Sequence, residues 1–473
     1  MKRYLVQTFG CQMNVHDSRR IEEVLEADGY SHADDPSLAN VLVVNTCSVR
    51  EKAEHKLMSL LGTFRPLKEA RPDLVIAVAG CVAQQEGEKL LKKAPFVDLI
   101  IGPDNIPELP DLVHGAQSGA PPRARTEFDL VAPEFLVARP RVERPDITAY
   151  VTVMKGCDER CTYCIVPYTR GPERYRPEDE IVGEIVRLVE GGVREVTLLG
   201  QTVNSWYDPS RPKDRRDSEF AGLLRRIVEE APDLCRLRYT SPHPRHVTPE
   251  LLRAHAELEP LSPHVHLPVQ SGSNRLLKRM LRRYTRELYL EKATALKGCR
   301  EGLTLSTDII VGFPGETEED FLETLSLVRE AGFVSVFGFK YSPRPFTPAL
   351  KLGDDVSEAD KDDRLQRLFA VAEEQQQAHL RSLDTTRQRV LIEGRSKHGH
   401  FSGRTERHEI VHVDAPEGVE PIGEVVEVDV VRANRHSLNA VMDGATYTPS
   451  PKPKGPRRLP MVSGGGSAQG AKL

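Results

Sequence analysis

Between Lys155 and Cys164 the chain reads KGCDERCTYC, which sets Cys157, Cys161 and Cys164 at C-x3-C-x2-C spacing. Three thiols within eight residues can wrap one face of an inorganic cluster. They do not by themselves complete a four-ligand zinc site. Fe–S clusters are typically held by four cysteine thiolates. A three-cysteine loop therefore points to a [4Fe–4S] cluster with one iron left open for a substrate or cofactor. Two other readings stand beside it: a zinc knuckle with a distant fourth ligand, and a chance spacing.

The rest of the chain has to build a scaffold for that loop. At 473 residues, a prior of about 150 residues per domain gives roughly three domains. The formal net charge is −5, so a nucleic-acid partner would be held by local basic patches and not by global charge. Eight cysteines without dense pairing favour a reducing compartment. The start, MKRYLVQTFGC, lacks the apolar core and cleavage site of a signal peptide. No apolar run reaches the roughly 20 residues of a membrane span. A soluble cytoplasmic protein is the expectation.

In residues 1–113 short apolar strands alternate with amphipathic helices. Strands are expected near 4–8, 41–44, 74–79 and 97–101, and helices near 17–27, 51–64 and 84–93. Such alternation implies a doubly wound parallel sheet, whose ligands lie beyond the carboxyl ends of the strands. Cys11, Cys47 and Cys81 fall just past the ends of the first three strands. Two follow glycines, Gly10 and Gly80, which allow tight turns. The topology brings the three thiols to one sheet edge, as a second cluster site would need. The alternative is three small buried hydrophobes.

Residues 114–146 are rich in proline, arginine and alanine and read as a linker. From 147 to 383 six strand–helix units can be counted, with strands near 150–155, 195–199, 236–240, 265–269, 303–311 and 334–340. Six parallel strands suggest a partial (β/α)6 barrel. Polar residues punctuate the strand ends, where barrel chemistry is expected: the cysteine loop, Gln201 and Asn204, Ser241 and His243, Gln270 and Ser271. Taken singly, each is weak evidence, and the first reading of Gln270 or His243 is an ordinary loop residue making local hydrogen bonds. GFPGETEED, with Thr317 capping a helix over Asp320, is also a plain turn-and-helix signal. The basic stretch 275–286 is either a solvated helix face or a phosphate contact. After a helix near 357–383, β-like runs at 389–392, 409–413 and 424–431 suggest a small β-barrel over 384–446 of a kind that often carries oligonucleotides. RNA contact there would need sided placement of groups such as Arg395, Lys397 and Arg404. The tail, 447–473, is expected to be disordered.

Several of these segments resemble one known family. FGCQMN, NTCSVRE and GCVAQ resemble the N-terminal domain of the methylthiotransferases. GCDERCTYCIVPYTRG, HLPVQSGS, TDIIVGFPGETEEDF and FKYSPRP resemble their radical S-adenosylmethionine (SAM) core, and the C-terminal β segment resembles a TRAM RNA-binding domain. Within the family, QTFGCQMNVHDS is similar to the branch acting on isopentenyladenosine in tRNA. Tyr175, Thr202 and Phe346 depart from the family's usual serine, asparagine and glycine.

The resemblance implies a transferase with two [4Fe–4S] clusters, one on Cys157, Cys161 and Cys164 that binds SAM, the other on Cys11, Cys47 and Cys81. The product would be a 2-methylthio adenosine beside the anticodon. Tyr163, Gln201 and Gln270 are the candidate SAM contacts, with plain packing an equal reading for Tyr163. No catalytic side chain beyond the cluster ligands is singled out. The expected partners are the tRNA anticodon stem-loop and an external one-electron donor such as flavodoxin or ferredoxin; a monomer and no membrane are expected. Competing readings are a sibling methylthiotransferase acting on another adenosine or a ribosomal-protein side chain, and a non-catalytic Fe–S RNA-binding sensor.

Overall fold

The computed structural model describes residues 2–48, 52–130, 135–136, 146–211, 218–396 and 399–442. The expected disordered tail lies outside them. Strands β1 (Arg3–Phe9), β2 (Ser31–His32), β3 (Val41–Thr46), β4 (Val75–Ala79), β5 (Leu99–Ile101) and β6 (Arg123–Arg125) make one parallel sheet in the order β2-β1-β3-β4-β5-β6. Five helices connect them: α1 (Gln12–Ala27), α2 (Lys52–Ala70), α3 (Cys81–Glu86), α4 (Glu88–Lys93) and α5 (Leu109–Gln117).

Because strand side chains alternate, each strand feeds two cores. Leu42, Val44, Ile76 and Val78 pack against Leu57, Leu61 and Phe64 of α2. Val41, Val43, Val75 and Ala77 pack against Ile21 and Leu25 of α1 and Val113 of α5. Burial on both faces explains why these strands read as unbroken apolar runs.

The expected linker over 114–146 needs correction at its start. Helix α5 runs on to Gln117, and β6 pairs with β5 as the sheet's edge. Proline and arginine suit such an edge, where one side of the ladder is open. Residues 131–134 and 137–145 of that stretch lie outside the described residues.

The central domain opens with β7 (Thr148–Thr152), followed by the short pair β8 (Met154–Lys155) and β9 (Arg174–Tyr175) with α6 (Val166–Thr169) between them. Then come α7 (Glu178–Glu190), β10 (Glu195–Leu199), α8 (Phe220–Glu230), β11 (Arg236–Tyr239), α9 (Pro249–Glu257), β12 (His264–His266), α10 (Asn274–Arg279), α11 (Arg286–Cys299), β13 (Thr304–Val311), α12 (Glu318–Ala331) and β14 (Ser335–Lys340). Strands β7, β10 and β11 pair in parallel, as do β12, β13 and β14. A parallel bridge from Leu237 to Leu261 joins the two halves. The result is the expected six-stranded open barrel, with its strands side by side in chain order. Thr317 and Asp320 form the expected capping box at the start of α12.

Ser357 caps α13 (Glu358–Ser382), which leads into a closed barrel of β15 (Arg387–Arg395), β16 (Phe401–Thr405), β17 (Ile410–Asp414), β18 (Val425–Ala433) and β19 (Leu438–Met442). Its order is β15-β16-β17-β19-β18. This small barrel sits against the amino ends of the central strands. Arg236 and Arg238 donate to the carbonyls of Arg404 and Thr405, and the Ser262 hydroxyl donates to that of Glu406. The opposite end of the central barrel, where the strands finish, is thereby left to the cysteine loop.

Candidate functional site

The first cysteine set assembles at a reversal in the sheet. Strand β1 has β2 on one side and β3 on the other, and β4 follows β3. At such a switch point the strand ends part around a crevice. Cys11, Cys47 and Cys81 stand at the carboxyl ends of β1, β3 and β4. Gly80 turns the chain at φ +90°, where a Cβ would lie 2.3 Å from the Asn45 side-chain oxygen. Asn45 is itself pinned: it accepts from the Asn14 amide at 3.0 Å and donates to the Asn14 carbonyl at 2.8 Å and to Ser18 at 2.9 Å. Cys47 and Cys81 are buried and Cys11 is exposed. The hydrogen bond with the Cys47 thiol, with the Arg170 charge assisting, pulls the Cys11 thiol below the ordinary cysteine range. Burial pushes Cys81 up.

The second set occupies the loop after β7 and β8. The β8–β9 pair holds both ends of this loop, and the Cys157 N–H donates to the Gly171 carbonyl at 3.1 Å. Thr162, between two cysteines, donates its N–H to the Met280 carbonyl at 3.0 Å and accepts from the Ala349 N–H at 2.9 Å. The loop is thus tied to the connections after β12 and β14. Burial raises Cys157 to about 11 and Cys164 to about 12, with Cys161 adding to the latter. Donors stand beside the sulfurs: Thr202 Oγ1 lies 3.1 Å from Cys157, and Arg282 Nη1 lies 3.3 Å from Cys161.

The two sets meet through a buried ion pair. Arg170 follows α6, six residues after Cys164, and its Nη2 lies 2.5 Å from Asp17 on α1. Both side chains are at most 8% exposed. Arg170 also hydrogen-bonds Cys81 and acts electrostatically on Cys11. Burial alone would raise Asp17; Arg170 and His16 outweigh it and hold the carboxyl at about 2. Around this pair, Lys155 and Arg174 both reach Asp104, and Thr152 bonds His16 at 3.2 Å.

Gln201 follows β10, next to Thr202, and both atoms of its amide are buried without a hydrogen-bond partner among the described residues. Gln270 follows β12 at φ +75° and bridges Ile309 through its backbone. Tyr163 packs against the apolar cluster of Leu276, Met280, Phe313, Tyr341 and Ala349. Tyr163 lies within the cysteine loop, Gln201 lies beside the Thr202 that contacts Cys157, and Gln270 follows a neighbouring barrel strand. Asn204 clamps His243 from both sides of its peptide. Sequence reasoning missed Asn14, Asp17, Asn45, Glu159, Arg170 and Arg282. Most lie inside the segments FGCQMNVHD, NTC and CTYCIVPYTR, where only the cysteines and glycines carried a readable signal.

Glu159, within the cysteine loop, is held at about 2 because the His246 hydrogen bond and the charges of His243 and Arg245 outweigh its burial. Glu159, His243 and His246 bring ligand atoms within 4.8 Å of one another. Arg245 already pairs with this carboxylate at 3.3 Å, which argues for an ion-pair wall over a metal centre. In the small C-terminal barrel, Arg395 pairs with Glu420, and Arg404 with Glu393 at 2.7 Å. The sided basic face expected there is therefore partly neutralised, and Lys397 lies outside the described residues.

Thiols with soft donors at two converging sheet edges, and an unmet amide beside one of them, are the donor chemistry that Fe–S clusters and a small polar cofactor require. Residues 151–328 match the Radical SAM superfamily, 3–102 match Uncharacterized protein family UPF0004, and 381–442 match the TRAM domain. The fold is shared with the radical S-adenosylmethionine methyltransferase TsrM from Kitasatospora setae, at 15% identity and a TM-score of 0.53 over 74% of this chain and 75% of that one. The class is thus a radical SAM protein with an N-terminal α/β domain and a C-terminal TRAM barrel. Two relatives are each named tRNA-2-methylthio-N(6)-dimethylallyladenosine synthase. The one from Sorangium cellulosum is 57% identical over 98% of this chain and all of its own length. That from Geobacter metallireducens is 46% identical over 92% of this chain and 97% of its own. The chain belongs to the tRNA-2-methylthio-N(6)-dimethylallyladenosine synthase family.

Proposed function

We infer that this chain is a radical SAM transferase that adds a methylthio group to C2 of N6-dimethylallyladenosine (isopentenyladenosine) in tRNA. The observation that carries the reading is the junction at Arg170, which sets a three-thiol site on the first domain against a three-thiol site on the barrel. Cys157, Cys161 and Cys164 hold one [4Fe–4S] cluster; Cys11, Cys47 and Cys81 hold the other. A SAM-bound cluster of this kind supplies a radical source through one-electron reductive cleavage.

The residues around the clusters do the positioning. Gln201 offers a buried donor and acceptor to the cofactor, with Gln270 and Tyr163 on the same rim. Thr202 and Arg282 donate toward ligand sulfurs on the barrel, and Arg170 toward Cys81. The first domain packs on β7 and on the segments flanking the cysteine loop, where Asp17 and Arg170 are each at most 8% exposed, so water is kept from that contact. The C-terminal barrel, at the far end of the strands, adds RNA contact away from the chemistry. The electron that this chemistry requires would come from an external one-electron donor such as flavodoxin or ferredoxin. No helix among the described residues is long and apolar enough to cross a membrane; the protein acts in the cytoplasm, on tRNA, as a monomer.

The test is anaerobic turnover of the reconstituted protein with SAM, a reductant and tRNA carrying the dimethylallyl group, read as 5′-deoxyadenosine and as methylthio nucleoside by mass spectrometry. Both products are expected. SAM cleavage without the methylthio nucleoside would move the reading to a sibling substrate. No cleavage by the fully loaded, reduced protein would leave the sensor reading instead.

A further inference from the structure

The mouth of the central barrel is rimmed by residues in an unusual backbone state. Seven non-glycine residues among those described have positive φ. Five of them, Arg160, Ser241, Gln270, Leu281 and Phe346, lie in connections near the cysteine loop. A side chain in the left-handed region costs roughly 1–2 kcal/mol, and such conformations cluster at functional sites. Three of the five add exposure to the strain, and two of those three are apolar. Leu281, at φ +56°, is 48% exposed, and Phe346, at φ +67°, is 57% exposed.

Phe346 has a companion. Its ring centroid lies 5.9 Å from that of Tyr168 at an interplanar angle of 35°. Tyr168 is itself 40% exposed, on the short helix that follows Cys164. Burial does not explain this pair, because each ring keeps a large free surface. Thr162 hydrogen-bonds both Met280, just before Leu281, and Ala349, three residues after Phe346. The strained residues are therefore tied to the cysteine loop itself. Exposed Lys278, Arg283 and Lys351 lie on the same connections.

Free aromatic faces beside exposed cations match single-stranded RNA, which stacks its bases on aromatic rings and is drawn by its phosphates to positive side chains. We propose that Tyr168 and Phe346 form a stacking platform for an unpaired base of the RNA substrate, next to the nucleotide that enters the barrel. This rests on the tRNA reading above. The strain at Phe346 is retained because the ring is needed where only that backbone can present it.

The strain supplies the test. Phe346→Gly removes the ring and relieves the backbone together, so stability and RNA affinity should move in opposite directions. The melting temperature should hold or rise. Affinity for an anticodon stem-loop RNA should fall about tenfold or more, since stacking carries on the order of 1–3 kcal/mol per base. Tyr168→Ala should weaken binding similarly, and Phe346→Tyr should retain it. The loss should shrink when the loop base is replaced by an abasic residue, and the salt dependence should not change, because no phosphate contact is removed. Unchanged affinity in Phe346→Gly with a raised melting temperature would overturn the platform and leave the pair to another partner. If wild-type protein forms no methylthio nucleoside but still loses stem-loop affinity on substitution, the reaction is misassigned and the platform stands.

Discussion

The two cysteine sites hold the same number of thiols by opposite means. On the barrel, one loop carries all three within eight residues, and backbone hydrogen bonds tie it to two neighbouring connections. On the first domain, the thiols come from three strand ends spread over Cys11 to Cys81, and only the fold brings them together. The barrel sulfurs receive donors from their own domain, Thr202 and Arg282. The first-domain sulfurs draw on both domains: Cys11 is reached by the backbone of Met13 and Asn14, and Cys81 by Arg170 from the barrel. One site takes its donors from its own domain; the other takes one of them, Arg170, from across the domain contact. Chemistry needing a fixed cofactor fits the first. A group that must be presented across an interface fits the second.

The largest expected effect comes from removing the barrel site. With Cys157, Cys161 and Cys164 replaced by alanine, SAM cleavage should fall to background, since no open iron is left to hold SAM. Iron content should drop from about eight to about four per chain. Iron analysis with Mössbauer spectroscopy and 5′-deoxyadenosine measurement checks both. Residual cleavage in this variant would break the comparison, because the dispersed set would then hold SAM as well.

Removing the dispersed site should divide the reaction. The Cys11→Ala, Cys47→Ala, Cys81→Ala protein should still form 5′-deoxyadenosine but no methylthio nucleoside. The barrel has its own core, separate from those on either face of the first sheet, so its loop should survive the change. Normal methylthio product from this variant would remove the dispersed set from its role as sulfur donor.

The same contrast sets what could be read from sequence. The local loop is legible because spacing alone forces its thiols together. The dispersed set is legible only after β1, β3 and β4 are recognised as adjacent parallel strands, which their apolar runs permit. The docking contacts, Asp17 with Arg170 and Asp104 with Arg174, leave no local signal: they depend on how two separate folds meet. Strand β6 was hidden by a proline- and arginine-rich context that reads as linker. Strands β16 and β19 were hidden by composition, since β17 has the same length: Gly403 and Asn439 are residue types depleted in strands, and Gly403 lies against the Leu391 carbonyl, where a Cβ would come within 2.0 Å.

A smaller, structural effect should follow from the docking pair. Asp17→Asn leaves the Arg170 guanidinium buried without its counter-charge, a change that costs about 3–5 kcal/mol in comparable pairs. The melting temperature should drop, and the first-domain cluster should be lost before the barrel cluster during chelation. The sign with pH follows from the depressed carboxyl: the pair contributes fully above the unfolded value of 3.8 and fades as pH falls through about 2. Equal loss of both clusters in Asp17→Asn would show that docking does not distinguish the sites.

The smallest expected effect tests whether the barrel site is tuned from within. Thr202 stands 3.1 Å from Cys157 Sγ and is 2% exposed. Once Cys157 is a thiolate it can only accept, so the hydroxyl donates. Hydrogen bonds to cluster sulfurs stabilise the more negative, reduced state and raise the reduction potential. Thr202→Val keeps the side-chain shape and removes the donor. A net bond of about 1 kcal/mol corresponds to roughly 40 mV for one electron. Because the bond persists in both redox states, only part of that is expected, as a downward shift of the barrel cluster alone. Spectroelectrochemical titration of wild type and Thr202→Val, each in the Cys11→Ala, Cys47→Ala, Cys81→Ala background, isolates that cluster. A matching Thr202→Ser protein should return the potential toward wild type. If valine and serine behave alike, the contact at Cys157 is packing only, and the barrel site owes its tuning to Arg282.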